Sequence, residues 1–415
     1  MTSPTAATAG APEPAELQHS FPWPRPAIDP PAAYGWLREN APIRRVELAD
    51  GLPGWLVTRY EDVRELLADP RVSSDATDPG YSLLGAPRLA GKDQSFLRTD
   101  PPYHTIFRRM LGKHFAVKRV HAMRPRIQEL VDATIDELLA REERPVDLVE
   151  RFALPIPSTV LSWLLGVPAE DQAFFNKASE DLLARGNPDV PDAEERSAAA
   201  RTEMVQYIAK LSDERLALDD PGEDMLGDMA KAVKDGKISR EAMINSGVTL
   251  LIAGHETTAN MTALGTAILL QHPDQLAEMQ AERGLRAGAI EELLRFLTIV
   301  HLVVVRVAKD DIEVAGQVIP KGEAIIPLNF SANRDDAHYP NPDAFDIHRA
   351  PRDHLAFGFG VHQCMGQPLA RLELDIIFET LFRRIPGLRL ATEAESLPYK
   401  TYAPINGLTG LPVTW

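Results

Sequence analysis

Between Ala242 and Gln271 the only formally charged side chain is Glu256, next to His255. At helical rise this stretch spans ~45 Å. A helix that is apolar on every side belongs in the interior, so the rest of the chain has to wrap around it. A carboxylate halfway along such a helix is costly to bury unless it is hydrated or paired, which marks Glu256 as functional. In the surrounding LLIAGHETTAN (250–260), Leu250, Ala253, Gly254 and Thr257, with Met261 just beyond, share one face. That face is small near Gly254, leaving room for a flat or bulky partner. The Thr257 hydroxyl is spaced to bond back to the carbonyl of Ala253 and bend the helix.

The 415 residues are 44% hydrophobic and 25% charged, ordinary for a globular protein with a large core. A formal net charge of −16 argues against nucleic acid or an anionic membrane as partner. No run of apolar residues is long enough to span a bilayer. The start MTSPTAATAGAPEPAELQHS has no basic or apolar signal-like pattern. Residues 1–20 are expected to form a flexible tail before a single domain over 21–415. The single cysteine excludes an intrachain disulfide and suits a reducing compartment, so a cytoplasmic location is expected.

Periodicity predicts helices over roughly 60–68, 118–141, 198–217 and 287–297, besides the apolar one. Strand-like alternation is confined to 42–48, 55–58, 301–307, 311–314 with 317–319 around Ala315-Gly316, and 323–328. The expected fold class is mainly α with small β-sheets. The irregular stretches 70–102 and 334–363 are too long for a compact domain unless they wrap a ligand.

Cys364 lies in FGFGVHQCMGQPLAR (357–371). Glycines at alternate positions let backbone come close to something flat or bulky. Beyond Gly366, Leu369, Leu372 and Ile376 recur at helical spacing, with Pro368 tolerated in the first turn. A cysteine at a helix N-terminus is favoured as thiolate, hence as nucleophile or metal ligand.

The segment resembles the haem-ligand loop of the cytochrome P450 family, F-G-x-G-x-H-x-C-x-G-x-x-L-A-R. Phe357, Gly358, Gly360, His362, Cys364, Gly366, Leu369, Ala370 and Arg371 match it. Ala253, Gly254, Glu256, Thr257 and Thr258 match the family's A-G-x-[DE]-T-T, and Glu292 and Arg295 its E-x-x-R, with Arg349 the expected third partner. Taken alone, such an i, i+3 pair on a solvated face is worth only about 0.3 kcal/mol. DPPYHTIFRR (100–109) meets D-P-P-x-H-x-x-x-R through His104 and Arg108. Arg306 matches the arginine of the strand after E-x-x-R.

The resemblance implies a cytochrome P450 fold with one haem b (iron protoporphyrin IX). Cys364 would be its axial thiolate, the ligation that favours O–O cleavage. Ala253, Gly254, Phe357, Gly358 and Gly366 would line the cofactor, Phe357 on its proximal face. His104, Arg108, Arg306 and His362 would hold the propionates. Glu256 would relay protons and Thr257 would steady dioxygen. The implied activity uses O2 and two electrons to hydroxylate or otherwise oxidise a small organic molecule, a natural product or xenobiotic. A ferredoxin and its reductase would supply the electrons to a monomeric enzyme. Five cations in RRMLGKHFAVKR (Arg108, Arg109, Lys113, Lys118 and Arg119) offer an acidic ferredoxin a docking face.

The same cofactor could instead serve C–C or C–N coupling, desaturation or ring modification, which depends on pocket geometry. A haem sensor without turnover would have no use for the acid–alcohol pair. A hydrolase with Cys364 as nucleophile and His362 as base places the histidine poorly, two residues along one loop, and gives the apolar helix no role.

Overall fold

The structure is a computed structural model and describes residues 12–25, 27–84, 95–183, 192–301, 304–401 and 403–415. Its longest element is the apolar helix, Arg240–Gln271, opened by Ser239, whose side chain accepts the Ala242 N–H at 3.0 Å. Helices Pro155–Leu165, Ala193–Ala217, Met225–Lys234, Arg283–Leu297 and Gln367–Arg384 pack around it. One continuous apolar core runs through these helices. This central helix is therefore the axle of the molecule, as its missing charges require.

The helix predicted over 118–141 is in fact two, Val117–Ala122 and Arg124–Leu139. The break falls at Met123, just before Pro125. Proline has no N–H for the preceding turn, so it opens the second helix instead of continuing the first.

The main sheet has five strands, ordered Ile43–Glu47, Pro53–Val57, Ala324–Pro327, Arg306–Ala308 and Val72–Ser73. Its one parallel pairing joins Pro53–Val57 to Ala324–Pro327. Of the strand predicted over 301–307, residues 302–303 lie outside the described residues, and among the described ones Arg306–Ala308 joins the sheet. His301 and Val300 have another partner. Val300 bridges to Ile405, and the His301 N–H donates to the Pro404 carbonyl at 3.0 Å. Ile312–Val314 and Gln317–Ile319 form the expected hairpin, with Ala315 and Gly316 both at positive φ (46° and 76°).

The irregular stretch after residue 334 is satisfied by arginines instead of a ladder. Arg295 donates to the carbonyls of Asn333, Pro342 and Ala344, and Arg349 to those of Pro340 and Asn341. Of the expected N-terminal tail, residues 1–11 lie outside the described residues. Ala15–Gln18 forms a 3-10 turn, and Leu17 packs on a second apolar cluster that includes Phe21 and Trp23. No described helix is long and apolar enough to cross a membrane.

Candidate functional site

The loop ahead of Cys364 requires its glycines. Gly358 has φ 69° and ψ −166°, and Gly360 has φ 72°. A Cβ on Gly360 would also lie 2.2 Å from the Leu67 carbonyl oxygen, so any side chain there is excluded twice. The Cys364 N–H donates to the Phe357 carbonyl at 2.9 Å and closes the loop. Gly366 is the N-cap of Gln367–Arg384, so Cys364 stands just before the helix and not in its first turn. The sulfur is deep in the protein yet open on one side, as a residue lining an internal cleft is. Burial pushes its thiol pKa up, while the N–H groups of Gly366 and Gln367 and the charges of Arg108 and Arg371 pull it down. The Phe357 ring lies under the Arg371 guanidinium, 4.7 Å away, and beside the His354 ring.

His104, Arg108, Arg306 and His362 come together beside this loop. The rings of His104 and His362 are 4.0 Å apart. Arg108 donates to the Gln363 carbonyl at 2.7 Å, and Arg306 to its own neighbour's carbonyl, Val305, at 2.7 Å. His104 Nε2 and both ring nitrogens of His362 are buried without a partner. Burial, then the adjacent Arg108, lowers the His104 pKa to about 4. Burial, then Arg306 and His104, lowers that of His362 to about 3. Burial lowers both arginines as well. Asp100 offsets these charges from nearby, and it is already held by Ser73, Ser74 and Lys309. A buried cluster of donors with unmet hydrogen-bonding capacity is a site for an anionic group.

On the central helix the predicted back-bond is present, Thr257 Oγ1 donating to the Ala253 carbonyl at 2.7 Å. Ala253 is exposed and Thr257 partly so, within a helix buried on most of its length. The open side is therefore the Ala253–Thr257 ridge. Gly254 departs from expectation. A Cβ there would meet the Leu161 side chain at 3.0 Å, so this glycine admits the Pro155–Leu165 helix rather than opening the cleft.

Glu256 has a partner that sequence reasoning missed. The Lys400 ammonium lies 3.6 Å from its carboxylate and donates to Asn260 Oδ1 at 3.3 Å. One signal was available, a lone cation in a proline-flanked, otherwise uncharged segment, PYKTYAPINGL, but nothing local pairs it with a residue so distant in sequence. His255 Nδ1 is bonded to the Leu251 carbonyl within the same helix.

The E-x-x-R pair is no solvated pair. Glu292 and Arg295 are both fully buried, joined by two bonds of 2.7 and 2.8 Å, and Arg349 reaches the same carboxylate at 3.2 Å. Adjacent Glu291, also unflagged by sequence, accepts two bonds from Arg371 (2.6 and 2.9 Å) and one from His354 (3.1 Å). Its pKa is about 2, because the His354 and Arg371 bonds outweigh a burial that alone would raise it. Two neighbouring carboxylates on one helix thus anchor the irregular loop and the cysteine helix separately.

The basic stretch is only partly free. It is broken into Tyr103–Gly112, Lys113–Phe115 and Val117–Ala122. Arg108 points inward to Gln363, and Lys113 is paired with Asp228 at 2.7 Å. Arg109, Lys118 and Arg119 remain exposed. Phe115 lies 3.8 Å from where a Gly366 side chain would begin, so this surface borders the cysteine loop.

An open cysteine sulfur, a cluster asking for carboxylates and an uncovered ridge on the central helix fit a flat, anionic metal cofactor. The cytochrome P450 family profile matches residues 51–386. Cytochrome P450-SU2 of Streptomyces griseolus is 45% identical over 94% of this chain and 94% of its own length. Pentalenic acid synthase of Streptomyces avermitilis is 46% identical over 93% of this chain and 94% of its own length. The solved structure of GfsF superposes with a TM-score of 0.86 at 42% identity, covering 95% of this chain and 100% of that one. The mycinamicin VIII C21 methyl hydroxylase MycCI of Micromonospora griseorubida gives 0.84 at 40% identity, covering 95% and 100%. The chain belongs to the cytochrome P450 family and is a haem-thiolate monooxygenase of the bacterial kind.

Proposed function

We propose that the chain hydroxylates a natural product, with haem b held by Cys364 as sole protein ligand. The reading is carried by one observation, the buried His104–Arg108–Arg306–His362 cluster with its unpartnered ring nitrogens beside the open Cys364 sulfur. Those four residues would take the propionates, and Ala253, Gly254, Phe357, Gly358 and Gly366 would flank the macrocycle, Gly254 by setting the helix position. When bound, haem supplies the reducible iron at which dioxygen is activated.

The protein's own share is positioning and proton supply. Thr257, its hydroxyl already committed as donor to the Ala253 carbonyl, offers its oxygen as an acceptor on the open ridge. Glu256, one position earlier, is the ionisable group that can pass protons inward. Relatives named for pentalenic acid synthesis and for hydroxylation of vitamin D3 and mycinamicin VIII support a natural-product substrate. An acidic ferredoxin, reduced by its own reductase, would dock on Arg109, Lys118 and Arg119 and deliver electrons to a monomer in the cytoplasm.

The test pairs binding and product analysis. Natural-product libraries are screened by optical titration of the loaded enzyme, and hits are turned over and analysed by mass spectrometry. A product heavier by one oxygen supports the reading. Exclusively coupled or desaturated products would favour the diverted chemistry. Thr257→Ala should still consume NAD(P)H but release more peroxide per product, and Glu256→Gln should turn over on the order of 10²-fold more slowly.

A further inference from the structure

Lys400 is buried, 8% exposed, and its ammonium has two partners, Glu256 at 3.6 Å and Asn260 Oδ1 at 3.3 Å. Burial lowers its pKa and Glu256 raises it, so the charge depends on that carboxylate. At 3.6 Å the contact is an ion pair longer than an ordinary hydrogen bond.

The lysine is delivered by a hairpin. Tyr399 bridges to Leu408, and the Lys400 N–H donates to the Gly407 carbonyl at 3.0 Å. A Cβ on Gly407 would lie 2.0 Å from Asn260 Oδ1, so the hairpin rests its bare backbone on the central helix. Its other side is tied to the segment leading to Arg306, through Asn406 N–H to the Ile299 carbonyl (2.7 Å) and His301 N–H to the Pro404 carbonyl (3.0 Å). Glu256 and Asn260 form one i, i+4 row on the helix, and Ala253 and Thr257 the neighbouring, open one. The carboxylate can therefore face the hairpin or turn toward Thr257, and Lys400 holds it on the hairpin side.

We propose that Lys400 is a positioning residue for Glu256, one that makes the placement of the proton-relaying carboxylate depend on the 399–408 hairpin. A substrate that shifts this hairpin would move Lys400 and release the carboxylate toward Thr257. The inference rests on the reading of Glu256 as the proton relay.

The experiment uses loaded enzyme carrying Lys400→Met, Lys400→Arg, Glu256→Gln or Lys400→Met with Glu256→Gln. It reads peroxide released per NAD(P)H, the solvent isotope effect on product formation, and the unfolding temperature. Lys400→Met should raise the peroxide fraction several-fold, change the isotope effect and lower the unfolding temperature, because it strands a carboxylate without its counter-charge. Lys400→Arg should restore most of each. In the Glu256→Gln background, Lys400→Met should leave the peroxide fraction and the isotope effect unchanged and should not lower the unfolding temperature as it does in wild type, because there it removes a stranded cation. Equal effects of Lys400→Met in both backgrounds, or none in either, would overturn the proposal. If Glu256→Gln alone leaves peroxide and isotope effect at wild-type values, the relay reading fails instead, and the unfolding-temperature cycle still decides whether Lys400 positions residue 256.

Discussion

Arg295 and Arg306 both carry a guanidinium inward, and their surroundings are opposite. Arg295 is fully buried and complete, donating two bonds to Glu292 and others to the carbonyls of Asn333 and Pro342, with Arg349 on the same carboxylate. Arg306 sits among His104, Arg108 and His362, and its side chain bonds only the Val305 carbonyl among the described contacts. The first cluster contains its own anion. The second has beside it only an anion already held elsewhere, Asp100 on Ser73, Ser74 and Lys309, and leaves three histidine nitrogens unpaired. Buried polar groups are normally satisfied, so a closed network reads as architecture and an open one as a site awaiting a ligand.

The largest effect should come from breaking the closed cluster. Arg295→Leu strands Glu292 in the interior and should cost about 3–5 kcal/mol, enough to abolish soluble protein or halve the denaturant midpoint. Urea unfolding checks this, and wild-type stability would mean that the network is not what holds the loop.

The open cluster should respond the other way. His104→Ala and Arg306→Ala should leave haem-free stability within about 1 kcal/mol of wild type, yet each should speed haem loss to a scavenger roughly 10- to 100-fold, the equivalent of about 1.5–3 kcal/mol per charge-assisted bond. Unchanged release rates in both would refute the propionate assignment. The comparison also has a pH signature. His104 titrates near 4 in the folded chain and near 6.5 when unfolded. Between those values the unfolded chain binds the extra proton, so this histidine's contribution keeps stability highest above about 6.5 and erodes it as pH falls toward about 4. His104→Phe should reduce that slope in chemical denaturation of haem-free protein, leaving the part that His362 contributes.

Smaller effects belong to the exposed cations. Arg109→Glu and Lys118→Glu should slow ferredoxin-supported reduction several-fold at low salt, with the difference vanishing as salt is added. Lys113→Glu should instead lower stability, since Lys113 is paired with Asp228. Wild-type rates across the salt series in the first two would place docking elsewhere.

The two clusters also differ in how far they could be read in advance. The cysteine loop, the central helix and the histidine–arginine pairs lie in short stretches where spacing carries the information, and the fold sets His104, Arg108, Arg306 and His362 beside the cysteine loop. Glu292 and Arg295 were visible as a pair, but not as buried, because burial comes from the irregular loop whose carbonyls Arg295 satisfies. Lys400 and Glu256, and Glu291 and Arg371, are contacts across long sequence separations with no local period. Gly254 shows the limit from the other side. Its small size was evident, but which neighbour exploits it depends on how the Pro155–Leu165 helix packs. In the stretch 301–307, β-branched alternation signals extended backbone but not its partner, and His301 bonds Pro404 while Arg306–Ala308 joins the sheet.

The central claim is that the open cluster and Cys364 together form a haem-thiolate site. It is tested most directly by titrating haem into haem-free wild type and Cys364→Ser, then recording spectra of the reduced, carbon monoxide-treated samples. The account predicts uptake of one equivalent by wild type with the thiolate-type Soret band from which the family takes its name, and loss of that band in Cys364→Ser. The same thiolate-type band in Cys364→Ser would contradict it, because the chain holds no second cysteine to replace the first.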